Sequence, residues 1–329
     1  MKKIVVIGGG TGTVAVLSGL KKYSDLELSI IVSMTDDGGS NAVVRDQFGL
    51  LPLSDVRKSI IALAETDNQL LRGLFTYRFA KGDGLSGHTL GNLMMVALSD
   101  ICGSEVEAIK KLSELFRVKG KVIPVTLENT ELVAEYDNGQ CIRGEHLIDE
   151  PELDPGRILK LSLSKSVQAN AQAIAAIKEA DIIIAGPGDL YTSTLANIII
   201  SGISETIQQS AAKFIFVNNV MTKKGQTDGL QASDIVTEIT RYAGRRPDVV
   251  VLHQGDFPPV ILAKYQARGE EPVKDNLDDS LYTVVRQDVA SSIEIHEDAG
   301  DTLVRSLIRH DPEKLGNLLY AFMNTEYGI

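Results

Sequence analysis

The glycine-rich run at residues 8–12 is the first part of the chain whose residue types could do chemistry. It follows the apolar residues 4–7 and precedes Val14, Leu17 and Leu20, which recur at helical spacing. Glycines let backbone N–H groups approach phosphate oxygens, and the N-terminus of a helix adds positive potential. The order strand, glycine loop, helix therefore predicts a phosphate-binding loop made of Gly8, Gly9, Gly10, Thr11 and Gly12.

Two adjacent carboxylates, Asp36 and Asp37, follow the next apolar run and precede Gly-Gly-Ser at residues 38–40. This pattern is typical of a second anion or metal loop, so we predict Asp36 and Asp37 as Mg²⁺ ligands and Ser40 as a phosphate ligand. Two alternatives remain open. Both acids could cap a following helix, or Asp36 could complete the dinucleotide fingerprint at residues 10–15 of an NAD-dependent oxidoreductase.

Two later loops carry polar groups at the ends of predicted strands. The apolar residues 181–185 lead into Gly-Pro-Gly-Asp at 186–189, and residues 214–217 lead into 218–222. Because parallel strands end at the same edge of a sheet, these loops and the glycine loop predict one shared crevice. Helix capping alone could explain Thr192 or Ser193. The candidate ligand residues are Gly188, Asp189, Tyr191, Thr192, Ser193, Asn219 and Thr222.

His88 and Asn92 lie one helical turn apart at the start of the apolar run 93–98. A helix that is apolar on all sides is buried, so polar groups at its start need partners, and a ligand is one candidate. Equally, Thr89 could act as the N-cap and His88 as a turn residue.

Strands that alternate with helices predict an α/β fold with a Rossmann-like, doubly wound and mostly parallel sheet. Short alternating runs at 121–126, 131–136 and 140–143, with a hairpin turn at 137–139, predict a small antiparallel insert over about 118–165. A helix is expected at 312–323. Since the parallel pattern flanks the insert on both sides, we expect one domain over residues 1–329.

Composition excludes several classes of protein. The chain carries 44 acidic and 33 basic residues, a net charge of −11, which opposes attraction to nucleic acid phosphates. Cys102 and Cys141 lie far apart and outside any zinc-binding spacing, which indicates a reducing cytoplasm. No apolar run reaches about 18 residues, so no integral membrane association is expected.

Six segments together resemble the bacterial gluconeogenesis factor family, within the superfamily of CofD-like proteins named for 2-phospho-L-lactate transferase. They are IGGGTG at 7–12, TDDGGS at 35–40, LPLSDVRKSIIALAE at 51–65, LSGHTLGNL at 85–93, GPGDLYTS at 186–193 and NNVMTKKGQTDG at 218–229. The resemblance implies a Rossmann-like core, often a homodimer, that binds a nucleotide diphosphate such as a uridine diphosphate (UDP) sugar. It also implies a regulatory role that links carbon metabolism to cell-wall synthesis and cell shape.

The resemblance assigns roles as well. Gly8 to Gly12 and Ser193 would hold phosphates, while Asn92, Tyr191 and Asn219 would hold the sugar or base. If the protein is a transferase that moves a phosphorus-linked group, Asp37 would act through Mg²⁺ and Arg57 would steady charge on the diphosphate.

The chain departs from the family's usual pattern at two segments. The usual DDGGSSG carries Asn41 and Ala42 here, and the usual PPGDIRN carries Ser54 and Lys58 in place of Gly and Asn, while Asp55 and Arg57 stay.

Overall fold

The computed structural model describes residues 1–38, 50–65, 69–151, 155–291 and 307–324. Its strands, numbered along the chain, are β1 Lys2–Gly8, β2 Leu26–Val32, β3 Lys121–Pro124, β4 Leu132–Tyr136, β5 Cys141–Arg143, β6 Ile158–Leu163, β7 Ile182–Ala185, β8 Lys213–Val217, β9 Val249–His253 and β10 Thr283–Gln287. In these residues, seven strands form one parallel sheet in the order β10-β9-β8-β7-β1-β2-β3. The fold-class prediction is confirmed.

The strand order reverses between β1 and β7. From β1 the sheet extends through β2 and β3 to one edge, and from β7 it extends through β8 and β9 to β10 at the other edge. The central strands are buried on both faces, which explains why their sequences are continuous apolar runs rather than alternating ones. In open α/β sheets, ligands bind at the carboxyl ends of the strands where the order reverses, here the loops after β1 and β7.

Helices cover the sheet. They are α1 Gly10–Leu20, α2 Ser54–Leu63, α3 Gln69–Thr76, α4 Leu90–Cys102, α5 Glu105–Leu115, α6 Glu145–Asp149, α7 Ala171–Glu179, α8 Ala196–Ile198, α9 Ile203–Gln209, α10 Ala232–Ala243, α11 Pro259–Gln266 and α12 Pro312–Asn324. The π-helical segment Leu190–Leu195 runs directly into α8. Within the described ranges, no helix is both long and apolar enough to span a bilayer.

The small antiparallel sheet has the order β5-β4-β6. Its hairpin turn lies at 137–139, where Gly139 has φ +83° and the Asn138 side chain accepts a hydrogen bond from the Gln140 N–H at 2.9 Å. One part of the predicted insert was wrong, because residues 121–124 pair in parallel with β2 and form the edge of the main sheet. Val122, Ile123 and Pro124 are buried in succession, so the strand lacks the alternating burial of a half-exposed antiparallel strand.

The C-terminal helix α12 packs directly against α1. A Cβ atom added to Gly316 would lie 2.6 Å from the Gly19 Cα, so the two helices touch through their backbones. Leu315, Leu319 and Met323 fill the buried face of α12. This contact joins the end of the described chain to the helix that carries the glycine loop.

Candidate functional site

A cavity of about 570 Å³ opens where the strand order reverses, between β1 and β7. The loops after β1, β7 and β8 form one side of it, and residues from 265–270 and 308–310 form another. The sequence-predicted site residues that line it are Gly9, Gly10, Thr11, Gly12, Gly188, Asp189, Ser193, Asn219 and Thr222. The structure thus brings all three predicted loops to one crevice.

The glycine loop places the first turn of α1 at the cavity wall. Gly9 is the N-cap, and no side chain of the described residues caps the helix. Gly10 has φ +70°, a conformation that favours glycine, and a Cβ on Gly12 would lie 2.5 Å from the Pro187 carbonyl oxygen. Gly8 lies outside the lining, beneath the Thr13 hydroxyl. The loop therefore presents a helix N-terminus that is not capped by any side chain in the described part of the chain.

The loops after β7 and β8 are tied together by side chains. The Gly188 N–H donates to the Asn219 Oδ1 at 3.1 Å. Within the segment after β7, the Asn197 Nδ2 donates to the Ser193 carbonyl at 2.7 Å. The Thr222 hydroxyl accepts a hydrogen bond from the Glu271 N–H at 2.9 Å. This bond ties the loop after β8 to the segment that follows α11.

Tyr191 and Thr192 lie outside the cavity lining, although the sequence singled them out as ligand residues. Tyr191 is 1% exposed, its hydroxyl donates to the Glu238 Oε2 at 3.2 Å, and burial followed by Glu238 raises the pKa of the phenol. Thr192 is 3% exposed and donates to the Asp149 Oδ1 at 2.9 Å. The π-helical turn directs both side chains into the protein, an orientation that loop composition does not reveal.

Lys223 is a cavity residue that sequence reasoning did not assign to the site. Its ammonium donates to the Asp149 Oδ1 at 2.6 Å and to the Asp189 Oδ2 at 3.0 Å, and Gln226 also donates to Asp149 at 2.9 Å. Burial opposes the charge of Lys223, but the two carboxylates outweigh it and raise the pKa of the ammonium. The only sequence signal was a lysine within the polar loop 218–229.

Asp36 and Asp37 turn toward the start of α6. The Asp37 Oδ1 accepts from the His146 N–H at 2.8 Å, and the Asp36 Oδ1 accepts from the Gly38 N–H at 3.0 Å. Burial, with a smaller effect of Asp55, raises the pKa of Asp36 to about 6.

That Asp36 and Asp37 bind Mg²⁺ stays a prediction, since a Mg²⁺ ion usually takes only one or two carboxylates and fills its other positions with water and substrate phosphates. Among the described residues, no three His, Cys, Asp or Glu side chains converge well enough to hold a metal ion. One oxygen of each carboxylate already accepts a backbone N–H, and the nearby Asp55 is paired with Lys58 at 2.8 Å. Ser40 lies outside the described residues.

Arg57, His88 and Asn92 form a buried group away from the cavity lining. The Arg57 Nε donates to the Asn92 Oδ1 at 3.1 Å, and the Asn92 N–H donates to the Thr89 hydroxyl at 3.3 Å. Thr89 is therefore the N-cap of α4, which confirms the capping role that the sequence offered as an alternative. The Arg57–Asn92 pair joins α2 to α4.

Basic side chains line the cavity although the chain is acidic overall. They are Lys58, Lys223, Lys224, Arg268 and Arg309, and they share the lining with His310. Burial lowers the pKa of His310 to about 4, so its imidazole is neutral at pH 7. Four carboxylates, those of Asp149, Glu150, Asp189 and Glu270, line the same cavity, so its wall carries charges of both signs.

Comparisons with known proteins agree with this arrangement. The model of the family 2-phospho-L-lactate transferase CofD matches residues 4–290. The chain is similar to the putative gluconeogenesis factor of Thermotoga maritima, at 37% identity over 96% of this chain and 98% of that protein. The corresponding protein of Nostoc sp. is 40% identical over 96% of this chain and 68% of its own length. An X-ray crystal structure of a Bacillus halodurans protein superposes with a TM-score of 0.88 at 34% identity, covering 97% of this chain and 99% of that one.

Proposed function

This chain belongs to the gluconeogenesis factor family of CofD-like proteins, and we propose that its cavity binds a nucleotide diphosphate in the form of a UDP-sugar. The observation that carries the proposal is the N-terminus of α1, which no described side chain caps. It opens into the cavity at the point where the strand order reverses. Backbone N–H groups and the helix dipole at such a position favour phosphate. The diphosphate lies against residues 9–12, with Ser193 beside it.

The cavity suits a ligand larger than a phosphate. Its volume of about 570 Å³ falls within the usual range of small-molecule sites. The carboxylates of Glu150 and Glu270 line it together with the basic groups, and carboxylates accept hydrogen bonds from sugar hydroxyls. Asn219 stands between the glycine loop and this polar wall and contacts the sugar or base.

The protein acts as a cytoplasmic regulator, a homodimer that reports UDP-sugar levels to carbon metabolism and cell-wall synthesis. The names of the relatives, gluconeogenesis factors, support this role. The transferase description of the matching family model supports a second candidate, transfer of a phosphorus-linked group from the bound nucleotide diphosphate. Incubation with UDP-glucose, Mg²⁺ and an alcohol acceptor, followed by ³¹P NMR, separates the two, because a transferase cleaves the nucleotide sugar and joins the released group to the acceptor, whereas a regulator leaves the nucleotide sugar intact.

Calorimetric titration of UDP-glucose into the protein tests the binding site. Asn219→Asp keeps the oxygen that accepts from the Gly188 N–H but adds a negative charge to the cavity wall. We expect at least a tenfold loss of affinity, which corresponds to about 1.4 kcal/mol. Asn138→Asp makes the same chemical change at the exposed hairpin turn, where the side chain also accepts a backbone N–H at 2.9 Å, and should leave affinity unchanged.

Two results would contradict the proposal. One is the absence of saturable UDP-glucose binding to the wild-type protein, and the other is equal affinity of both Asn→Asp variants. Tight binding of NAD in place of UDP-glucose would revive the dinucleotide alternative.

A further inference from the structure

Lys58 stands at the wall of the cavity beside the glycine loop. Its Nζ lies 2.8 Å from the Asp55 Oδ1, and the side chain remains 32% exposed. Asp55 itself lies against the loop, since a Cβ added to Gly9 would lie 3.3 Å from the Asp55 Cγ. One ammonium group is therefore held close to the first turn of α1 by a carboxylate on its own helix.

Carboxylates close to the glycine loop, although outside the cavity lining, oppose a phosphate ligand there. Asp36 and Asp55 are close enough to interact electrostatically, and Asp37 adjoins them in sequence. A diphosphate against the glycine loop would be repelled by these carboxylates unless a positive charge lay between them. Either a divalent cation or the Lys58 ammonium can supply that charge.

The Lys58 ammonium competes with a divalent cation for the Asp55 carboxylate. A Mg²⁺ ion bonded to Asp55 would lie within a few ångströms of an ammonium that already occupies one oxygen of that carboxylate. Repulsion between a divalent and a univalent cation at such a distance is large wherever water is partly excluded. An ammonium has three N–H donors, so Lys58 can bond to Asp55 and still donate to a phosphate oxygen.

We propose that Lys58 takes the place of a divalent cation at this wall, bridging Asp55 to the diphosphate, so that this protein binds its ligand without Mg²⁺. The phosphate contact rests on the proposed function, whereas the exclusion of a metal ion rests only on the Lys58–Asp55 pair. Lys223 differs from Lys58 in that two carboxylates, Asp149 and Asp189, already accept from its ammonium, so it has one N–H left where Lys58 has two.

The first test measures metal binding without any nucleotide. Millimolar Mn²⁺ is titrated into the wild type, Lys58→Asn and Lys58→Asn/Asp55→Asn, and the free ion is followed by electron paramagnetic resonance. We expect binding in Lys58→Asn alone. Lys119→Asn is the matched control, because it breaks an exposed ion pair with Glu65 at 3.1 Å and should behave as the wild type. Wild-type Mn²⁺ binding that Asp55→Asn removes would overturn the proposal.

The second test measures UDP-glucose affinity in EDTA and in MgCl₂. The wild type should bind equally in both, whereas Lys58→Asn should bind about tenfold more weakly in EDTA and recover in MgCl₂. Wild-type binding that requires MgCl₂ would refute the proposal. If the wild type bound no UDP-glucose in either buffer, the proposed function would fail, and the Mn²⁺ titration would still decide whether Lys58 excludes a metal ion.

Discussion

His310 makes a quantitative prediction about the stability of the cavity wall. It lines the cavity, is 7% exposed, and its Nε2 has no hydrogen-bond partner within the described residues. Burial, reinforced by the charge of His253, lowers the pKa of the imidazole from 6.5 to about 4, while a hydrogen bond to the Asn218 backbone opposes the shift. The folded protein thus resists protonation of a side chain that the unfolded chain protonates readily.

The sign and size of the effect follow from linkage. Between pH 6.5 and about pH 4 the unfolded chain binds a proton at His310 that the folded protein does not, so the free energy of unfolding falls as pH falls. The two pKa values differ by about 2.5 units, and each unit corresponds to 1.36 kcal/mol. The loss of unfolding free energy that His310 causes is therefore at most about 3 kcal/mol. Above pH 6.5 both states hold a neutral ring, and this contribution no longer changes with pH.

Urea unfolding of the wild type and of His310→Gln, measured from pH 7 to pH 4, tests the prediction. Contributions from distant carboxylates are common to both proteins and cancel in the difference. The difference in unfolding free energy between wild type and variant should shift by about 3 kcal/mol across this range, in the direction that favours the variant at low pH. A direct NMR titration of the His310 ring should have its midpoint near 4. Parallel curves for the two proteins, or a midpoint near 6.5, would refute the reasoning.

Three further substitutions test the contacts described above. Gly316→Ala should lower the free energy of unfolding by about 1–3 kcal/mol, because the new methyl group meets the backbone of α1. Gly73→Ala, in α3 with open space around it, should instead be neutral or stabilising in the same urea assay. Lys223→Met should lower the free energy of unfolding by about 1 kcal/mol, since two partly exposed carboxylates lose the ammonium between them. Tyr191→Phe should cost about 1 kcal/mol in stability and leave UDP-glucose affinity by calorimetry unchanged, whereas a large loss of affinity would place the hydroxyl in the binding site.

Local patterns in the sequence determined the fold class and the order of its parts. Continuous apolar runs marked the buried parallel strands, and residues 8–12 marked the turn into α1, because each of these signals depends on neighbours in the chain. The hairpin at 137–139 was equally local. The rule that parallel strands end at one edge then predicted a shared crevice for three loops, and the structure places them at one cavity.

Only the tertiary structure decided which polar groups reach that cavity. Residues 121–124 pair with β2 at the edge of the main sheet. The residue pattern of a strand does not determine which neighbouring strand it pairs with. Tyr191 points inward and bonds to Glu238, an acceptor 47 residues further along the chain that the local sequence does not reveal. Lys223 and Asp149 are 74 residues apart in the chain, so neither local sequence predicts their contact. Hydrogen bonds and ion pairs between distant residues depend on how helices and loops pack together, and that packing exists only in the folded chain.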